Sequence, residues 1–236
     1  MLLSFPNWII HISSAFEWGV AALLLFRYGK LTGRRSIKIF ALSMLPHWFG
    51  SFFVLGYHAF VDSIPLLLDL SEIINLFGST SLLFATLNLL KSKKTVQTIS
   101  YAVVFGTIIL SGKPQSYLGT DIFDAILQLS SLVYISFLVL LLIVHRRDRT
   151  IFSGLTVAGF WFVLVFISVT IVCMYLATVV RGFPTLSHDD RLHGLAESLL
   201  TTSNLMIAIG AYRKISEYES EHRNEYMKEN SCFFKI

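Results

Sequence analysis

The sequence predicts an all-α polytopic membrane protein, a bundle of about seven transmembrane helices. Of its 236 residues, 54% are hydrophobic and only 14% are charged, whereas a soluble domain usually carries about 25% charged residues. Apolar stretches of about 20 residues recur along the chain, and each is long enough to cross a hydrocarbon core of about 30 Å as a helix. Together they leave no room for a large soluble domain.

The predicted spans follow these apolar stretches from one end of the chain to the other. They are Asn7 to Tyr28, Ile37 to Val61, Pro65 to Leu90, Val96 to Ser111, Ile122 to Val144, Ile151 to Val180 and Leu192 to Tyr212. Residues 1–94 are interpreted as an N-terminal three-helix domain and residues 95–215 as a four-helix domain. The polar residues 216–236 form a cytoplasmic or stromal tail, either a solvated helix end or a disordered extension.

The positions of the basic residues give the predicted orientation. Most of the 19 Lys and Arg residues lie in the loops after spans one, three and five and in the tail. These segments share one side of a seven-span protein, and omitting the short fourth span would separate them. The positive-inside rule then places the N-terminus outside and the C-terminus inside. Basic residues confined to short loops also argue against nucleic acid as a partner and favour the lipid bilayer.

Span seven carries a polar stripe on an otherwise apolar helix. His193, Glu197, Thr201 and Asn204 follow at spacings of four, four and three, so they share one helix face. Such a stripe must face the bundle interior or a water-filled cavity. Thr201 and Asn204 are typical of interhelical hydrogen bonding, whereas a functional role is favoured for His193 and Glu197.

Other spans also contain ionisable residues, which are costly in a bilayer. Span one contributes His11 and Glu17, span two contributes His58, and span three contributes Glu72 beside Asp69. Two alternatives remain open here. His11 is also explained as an ordinary interfacial histidine, and the Asp69–Glu72 pair as interfacial charges in water.

His47 lies near the middle of span two, directly after Pro46. A proline within a helix removes a hydrogen bond and kinks the helix. His47 is therefore interpreted equally as a ligand and as a partner for backbone carbonyls that Pro46 frees.

Under this topology the candidate residues of four helices fall in the outer half of the bundle. The topology rests on basic residues alone, so the shared depth is an independent observation. It predicts one polar site that opens toward the outer face. The candidate cofactor ligands are His11, His58 and His193, and the candidate metal ligands are these three with Glu17, Glu72 and Glu197.

Two stretches of the chain resemble known families. Pro6-Asn7-Trp8-Ile9-Ile10-His11, Glu17-Trp18, Arg27-Tyr28-Gly29, Met44-Leu45-Pro46 and Tyr57-His58-Ala59-Phe60 resemble the hypothetical chloroplast reading frame 49 family, also called domain of unknown function 2499. Gly159-Phe160-Trp161-Phe162, Val169-Thr170-Ile171 and Leu192-His193-Gly194-Leu195-Ala196-Glu197 are similar to domain of unknown function 3593. The chain therefore looks like a fusion of the two.

The resemblance implies a photosynthetic lineage and a thylakoid, other plastid or cyanobacterial membrane. It supplies no settled activity. Carried over by position, it points to the residues His11, Glu17, His58, His193 and Glu197.

Four functions compete at this point. The first is a binding or assembly protein that holds a metal ion or a tetrapyrrole, since neutral imidazole is a good ligand for both. The second is an intramembrane metal-dependent enzyme acting on a lipid, quinone or pigment, although no H-E-x-x-H signature indicates a reaction class. The third is a transporter or proton pathway, which lacks a detectable inverted repeat. The fourth is a structural subunit of a photosynthetic membrane complex.

Overall fold

The protein is described here by a computed structural model of residues 3–90 and 120–233. Within these ranges all regular structure is helical, which confirms the predicted class. The helices are α1 Phe5–Leu31, α2 Arg35–Ser43, α3 Leu45–Ala59, α4 Pro65–Leu90, α5 Thr120–Arg147, α6 Gly154–Tyr175 and α7 Asp190–Phe233. A π-helical turn, Leu176–Val180, extends α6, and a 3₁₀ turn, Leu186–His188, precedes α7.

Five helical segments in the described residues are long and apolar enough to cross a membrane: α1, the α2–α3 pair, α4, α5 and α6. They coincide with predicted spans one, two, three, five and six. The predicted fourth span, Val96 to Ser111, lies outside the described residues. Helix α7 covers the predicted seventh span but is not among the five, because its polar stripe lowers its mean hydropathy. It continues without a break to Phe233, so most of the predicted tail is helix.

The second predicted span is divided in two beside its proline. Helix α2 ends at Ser43, Met44 caps it, and α3 begins at Leu45 with Pro46 in its first turn. A proline is tolerated at this position because the first amides of a helix have no helical partner. The indole Nε1–H of Trp18 donates to the carbonyl of Met44 at 2.9 Å. The α1 helix therefore stabilises the break with a hydrogen bond.

The bundle is held together by two extensive helix pairings along α7. Helix α7 packs against α1 on one side and against α6 on the other, while α4 packs between α3 and α5. The aromatic core consists of Phe40, Phe137, Phe152 and Phe160, all with 0% exposure. Gly159 lets α6 approach α7 closely, and the hydroxyl of Ser203 donates to its carbonyl at 2.8 Å. Small residues at such crossings are typical of helix packing in membranes.

Contacts among the loops gather the basic segments at one end of the bundle. Arg34, between α1 and α2, pairs with Asp148 after α5 at 3.1 Å. Arg147 donates to the carbonyl of Leu90 at the end of α4, at 3.2 Å. We call this the basic end. His11 of α1, His58 of α3 and His193 of α7 lie at the opposite ends of their helices.

Candidate metal centre

Three helix ends bring three histidines together at the end of the bundle opposite the basic end. His11 lies in the second turn of α1, His58 is the next-to-last residue of α3, and His193 is in the first turn of α7. The three side chains are buried, with 6–7% of each residue exposed. We call these residues the histidine cluster.

The rings of the histidine cluster are in mutual contact. The ring centroids are 4.9 Å apart for His11 and His58, 5.0 Å for His11 and His193, and 5.2 Å for His58 and His193. The Nε2 atoms of His11 and His193 are 2.8 Å apart. One ring nitrogen from each residue lies within 4.8 Å of the other two, and this is the only such group of potential metal ligands in the described residues.

Two carboxylates contact the outward nitrogens of this cluster. Oδ1 of Asp62 is 2.8 Å from Nδ1 of His58, and both side chains are 5% exposed. Oε2 of Glu197 is 3.7 Å from Nδ1 of His11, which is an ion-pair distance rather than a hydrogen bond. Each carboxylate therefore faces the Nδ1 side of a ring. On His11 the other ring nitrogen, Nε2, faces His193.

Asp62 belongs to an unusual turn between α3 and α4. Val61 and Asp62 have φ angles of 57° and 56°, in the left-handed region that a β-branched residue such as Val rarely adopts. Burial raises the pKa of Asp62, but the hydrogen bond and the electrostatic interaction with His58 lower it. The lowering effects together are larger, so the pKa of Asp62 lies below its ordinary value. The turn thus holds a carboxylate against the histidine cluster at a cost in backbone strain.

Two buried polar atoms at the cluster, Nδ1 of His193 and Oδ2 of Asp62, make no hydrogen bond within the part of the chain that the structure describes. Buried polar groups in folded proteins are almost always hydrogen-bonded, so such atoms require an explanation such as an ion or a water. Two of the seven such atoms in the described residues belong to His193 and Asp62.

Polar contacts continue from the cluster along the interface between α1 and α7. The side-chain amide of Asn7 donates to the carbonyl and to Oδ1 of Asp190, at 2.6 and 2.7 Å. Deeper in the bundle, the amide of Asn204 donates to the carbonyl and hydroxyl of Ser14, at 3.0 and 2.9 Å. Gly194 is required beside Asn7, because a Cβ there would collide with the Asn7 amide. We call this row the α1–α7 seam.

Only some of the metal ligands predicted from the sequence belong to the histidine cluster or contact it. His11, His58 and His193 form the cluster and Glu197 adjoins it. Glu17 and Glu72 are not in the group of close ligand atoms. Oε2 of Glu17 is buried and has no hydrogen-bond partner among the residues that the structure describes.

His47 lies apart from the cluster as well. Its Nε2 is 3.3 Å from the hydroxyl of Ser79, and its Nδ1 is buried and makes no hydrogen bond within residues 3–90 and 120–233. Its ring also lies beside Trp18, with centroids 5.7 Å apart. The carbonyl of Met44, at the break, accepts the indole Nε1–H of Trp18 and the backbone N–H of Trp48, at 2.9 and 3.4 Å, and His47 bonds to Ser79 instead.

Sequence reasoning missed Asp62, Asn7 and Asp190. The spacing of His58 and Asp62, four residues apart, was the available signal for the first. It was hidden because Asp62 follows the apolar run and reads as an ordinary loop residue. No signal in the sequence linked Asn7 to Asp190, which are far apart in the chain.

Comparisons with known proteins divide the chain into two matched regions. Residues 2–88 match the family described as protein of unknown function DUF2499, and residues 123–216 match protein of unknown function DUF3593. A Ycf49-like protein of Synechocystis sp. is 31% identical over 85 residues, which cover 35% of this chain and 82% of that protein. No solved structure matches the chain. The chain therefore belongs to the Ycf49-like family (DUF2499) and carries a DUF3593 region after it.

Proposed function

We propose that this protein binds one divalent transition-metal ion through His11, His58 and His193 at the outer, lumenal end of a seven-span bundle. The observation that carries the proposal is the meeting of three imidazoles from three helices, with one nitrogen from each within 4.8 Å of the others. Ionisable side chains buried at membrane depth are rare and usually mark functional sites. The five apolar helices support a membrane protein, and the match to a Ycf49-like protein of Synechocystis supports a cyanobacterial or plastid lineage.

The donor set suits a borderline transition metal. Neutral imidazole is a ligand for Zn, Cu, Fe and Ni, whereas Mg and Ca prefer oxygen donors. Tetrahedral coordination with Zn–N bonds of about 2.0–2.1 Å would place two ligand nitrogens about 3.3 Å apart. The observed separation of 2.8 Å between the Nε2 atoms of His11 and His193 is about 0.5 Å below that value, and the ligand nitrogen of His58 lies within 4.8 Å of the other two.

The surrounding carboxylates match what metal-bound histidines require. Metal-ligating histidines usually donate their other ring N–H to a carboxylate or carbonyl, which fixes the tautomer and the ring orientation. Asp62 supplies such a carboxylate to His58 at 2.8 Å. Glu197 lies 3.7 Å from Nδ1 of His11 and would complete a second such pair after a small shift.

The cluster geometry favours an ion over a tetrapyrrole held by two histidines. A macrocycle lies between its two axial ligands and separates their nitrogens. The Nε2 atoms of His11 and His193 are in direct contact at 2.8 Å, and the third ring lies within 5.2 Å of both. No gap for a macrocycle exists between these rings.

A metal-dependent enzyme is the second candidate. Catalytic zinc sites keep three protein ligands and leave one position for water or substrate, and the cluster offers three ligands. Glu197 is the nearby carboxylate for proton transfer, and the substrate class would be a lipid, quinone or pigment of the membrane.

The proposed orientation of the protein in the membrane rests on the difference between the two ends of the bundle. The basic end gathers residues such as Arg34 and Arg147, which the positive-inside rule assigns to the cytoplasmic or stromal face. The histidine cluster is at the other end and would face the lumen. The cyanobacterial relative supports a thylakoid or other cyanobacterial or plastid membrane, where a photosynthetic complex is the candidate partner.

Metal analysis of the purified protein tests the proposal directly. The full chain, carrying a purification tag without histidine, is stripped with a chelator in detergent, reloaded with Zn²⁺ or Co²⁺, and analysed by plasma mass spectrometry. We expect about one ion per chain, lost in His11→Ala, His58→Ala and His193→Ala. His145→Ala and His222→Ala, which change histidines outside the cluster, should retain it.

Cobalt gives a second readout, because a tetrahedral Co²⁺ site has a visible absorption spectrum that an adventitious surface ion does not reproduce. The proposal is wrong if the wild-type protein binds no ion above background. It is equally wrong if the three cluster variants bind the ion as tightly as the wild-type protein.

A further inference from the structure

The histidine cluster draws its ligands from both family regions of the chain. His11 and His58 belong to the region matched by DUF2499, and His193 belongs to the region matched by DUF3593. An ion bound by all three would therefore connect the two regions directly, at the outer end of the bundle.

The two regions also meet along the α1–α7 seam, which is polar on both sides. Asn7 bonds Asp190 at the outer end, and Ser14 accepts from Asn204 deeper in the membrane. The hydroxyl of Thr201 points to the carbonyl of Ile10 between them, at 3.4 Å. Without α7, the polar groups of α1 would face lipid, where unsatisfied groups are costly. The polar face of α1 is thus a docking surface for a helix with the pattern of α7.

The cyanobacterial relative indicates that the first region exists without the second. The 85 matched residues make up 82% of that protein, and what remains is too short to hold a region matching residues 123–216. In the chain described here, the docking partner of the first region is covalently attached.

From these observations, and resting on the metal site proposed above, we propose that the ion is a clamp: its binding docks the outer end of α7, in the DUF3593 region, onto α1 and α3 of the Ycf49-like region. Metal that binds only the docked arrangement stabilises it by mass action. Without the metal ion, the outer end of α7 would be held by the Asn7–Asp190 contact and by the deeper hydrogen bonds of the α1–α7 seam. Separation of this end of α7 from α1 and α3 would then expose the backbone amides at the start of α7 and in the α3–α4 turn.

Hydrogen–deuterium exchange of the full chain in lipid nanodiscs tests the clamp. Exchange is compared between chelator-stripped protein and protein reloaded with Zn²⁺ at about 100 times its Kd. In residues 58–65 and 186–201 we expect exchange to slow together, by up to about 100-fold at this concentration. Residues 208–220, toward the basic end, should be unchanged.

Variants separate the clamp from the metal site itself. His193→Ala and His58→Ala should abolish the Zn²⁺ effect on exchange, whereas His145→Ala should preserve it; the wild-type comparison with and without Zn²⁺ needs no variant to fold. If Zn²⁺ binds stoichiometrically but leaves exchange in both segments unchanged, the clamp is wrong and the metal site stands. If no Zn²⁺ binds, the proposed function fails and the clamp fails with it.

Discussion

Replacing Asp62 with asparagine tests whether this carboxylate orients His58 toward a metal ion. Oδ1 of Asp62 lies 2.8 Å from Nδ1 of His58, so the remaining ring nitrogen is the one available to a metal. Asparagine has nearly the same shape as aspartate. It also tolerates the left-handed backbone that Asp62 adopts, with φ 56°. Asp62→Asn should therefore preserve the α3–α4 turn and remove only the charge.

The expected magnitude follows from the role of such partners in other metal sites. Loss of a carboxylate partner to a metal-bound histidine usually weakens metal binding about 10- to 100-fold, or about 1.4 to 2.8 kcal/mol. The isosteric Asp62→Asn variant should lie at the lower end, because an amide oxygen still accepts the Nδ1–H. Asp62→Ala removes the acceptor altogether and should lie at the upper end.

The assay is a competition between the full-length protein in detergent and a zinc-chelating dye. Asp148→Asn is the matched control, because Asp148 is also a loop carboxylate with a side-chain partner, Arg34 at 3.1 Å, but lies at the basic end. Its Zn²⁺ affinity should equal that of the wild-type protein. Wild-type affinity in both Asp62 variants would refute the assigned role of Asp62, as would an equal loss in Asp148→Asn.

Three further substitutions test the packing around the site. Gly194→Ala should displace Asn7 from Asp190, because the new Cβ would collide with the Asn7 amide. Loss of hydrogen bonds to a charged group costs about 1.5–3 kcal/mol, so thermal unfolding in detergent should occur at a lower temperature. Gly56→Ala, whose Cβ would meet only Leu67 Cδ1 at 3.6 Å, is the control, and equal melting of the two variants would contradict the argument. Gly159→Ala places a Cβ 3.0 Å from the backbone N of Ile207 and should destabilise the α6–α7 crossing by about 1–3 kcal/mol; an unchanged melting temperature would show that the crossing can relax. Trp18→Phe removes the hydrogen-bond donor to Met44, so it should lower the free energy of unfolding by about 1 kcal/mol and leave the Zn²⁺ stoichiometry unchanged. A loss of bound Zn²⁺ in this variant would show that the α2–α3 break positions the histidine cluster.

The helical class could be predicted because its cause is local and repeated. Any apolar stretch of about 20 residues in lipid must satisfy its backbone internally, and a helix does so. The break at Met44 follows equally directly from Pro46. Helix α7 is the instructive exception among the described helices, since the same stripe that predicts its functional face lowers its hydropathy below that of a simple span.

Proximity of the three histidines was predicted from shared depth, and depth alone could not decide which carboxylates join them. Glu17 and Glu72 were predicted as metal ligands on the same grounds as Glu197. Helix rotation and crossing determine whether a side chain points at a neighbour, and a single sequence does not specify them. Asp62, which contacts His58, lies in a turn and therefore shows no helical periodicity at all.

The arrangement of the site also explains why its ligands lie at helix ends. His58 and His193 are close to a helix terminus, where the chain can add a turn such as the one that carries Asp62. A metal site at mid-depth would have to draw its orienting carboxylates from the helices themselves, at a larger cost of burial. His47 illustrates the difference, because it lies at the α2–α3 break, far along the bundle from the α3–α4 turn, and its only hydrogen-bond partner in the described residues is the hydroxyl of Ser79. In the histidine cluster, His58 is paired with a carboxylate from the adjacent turn, and His11 faces the carboxylate of Glu197 on α7. Imidazoles and carboxylates therefore meet at the end of the bundle opposite the basic end, where we propose that an ion binds.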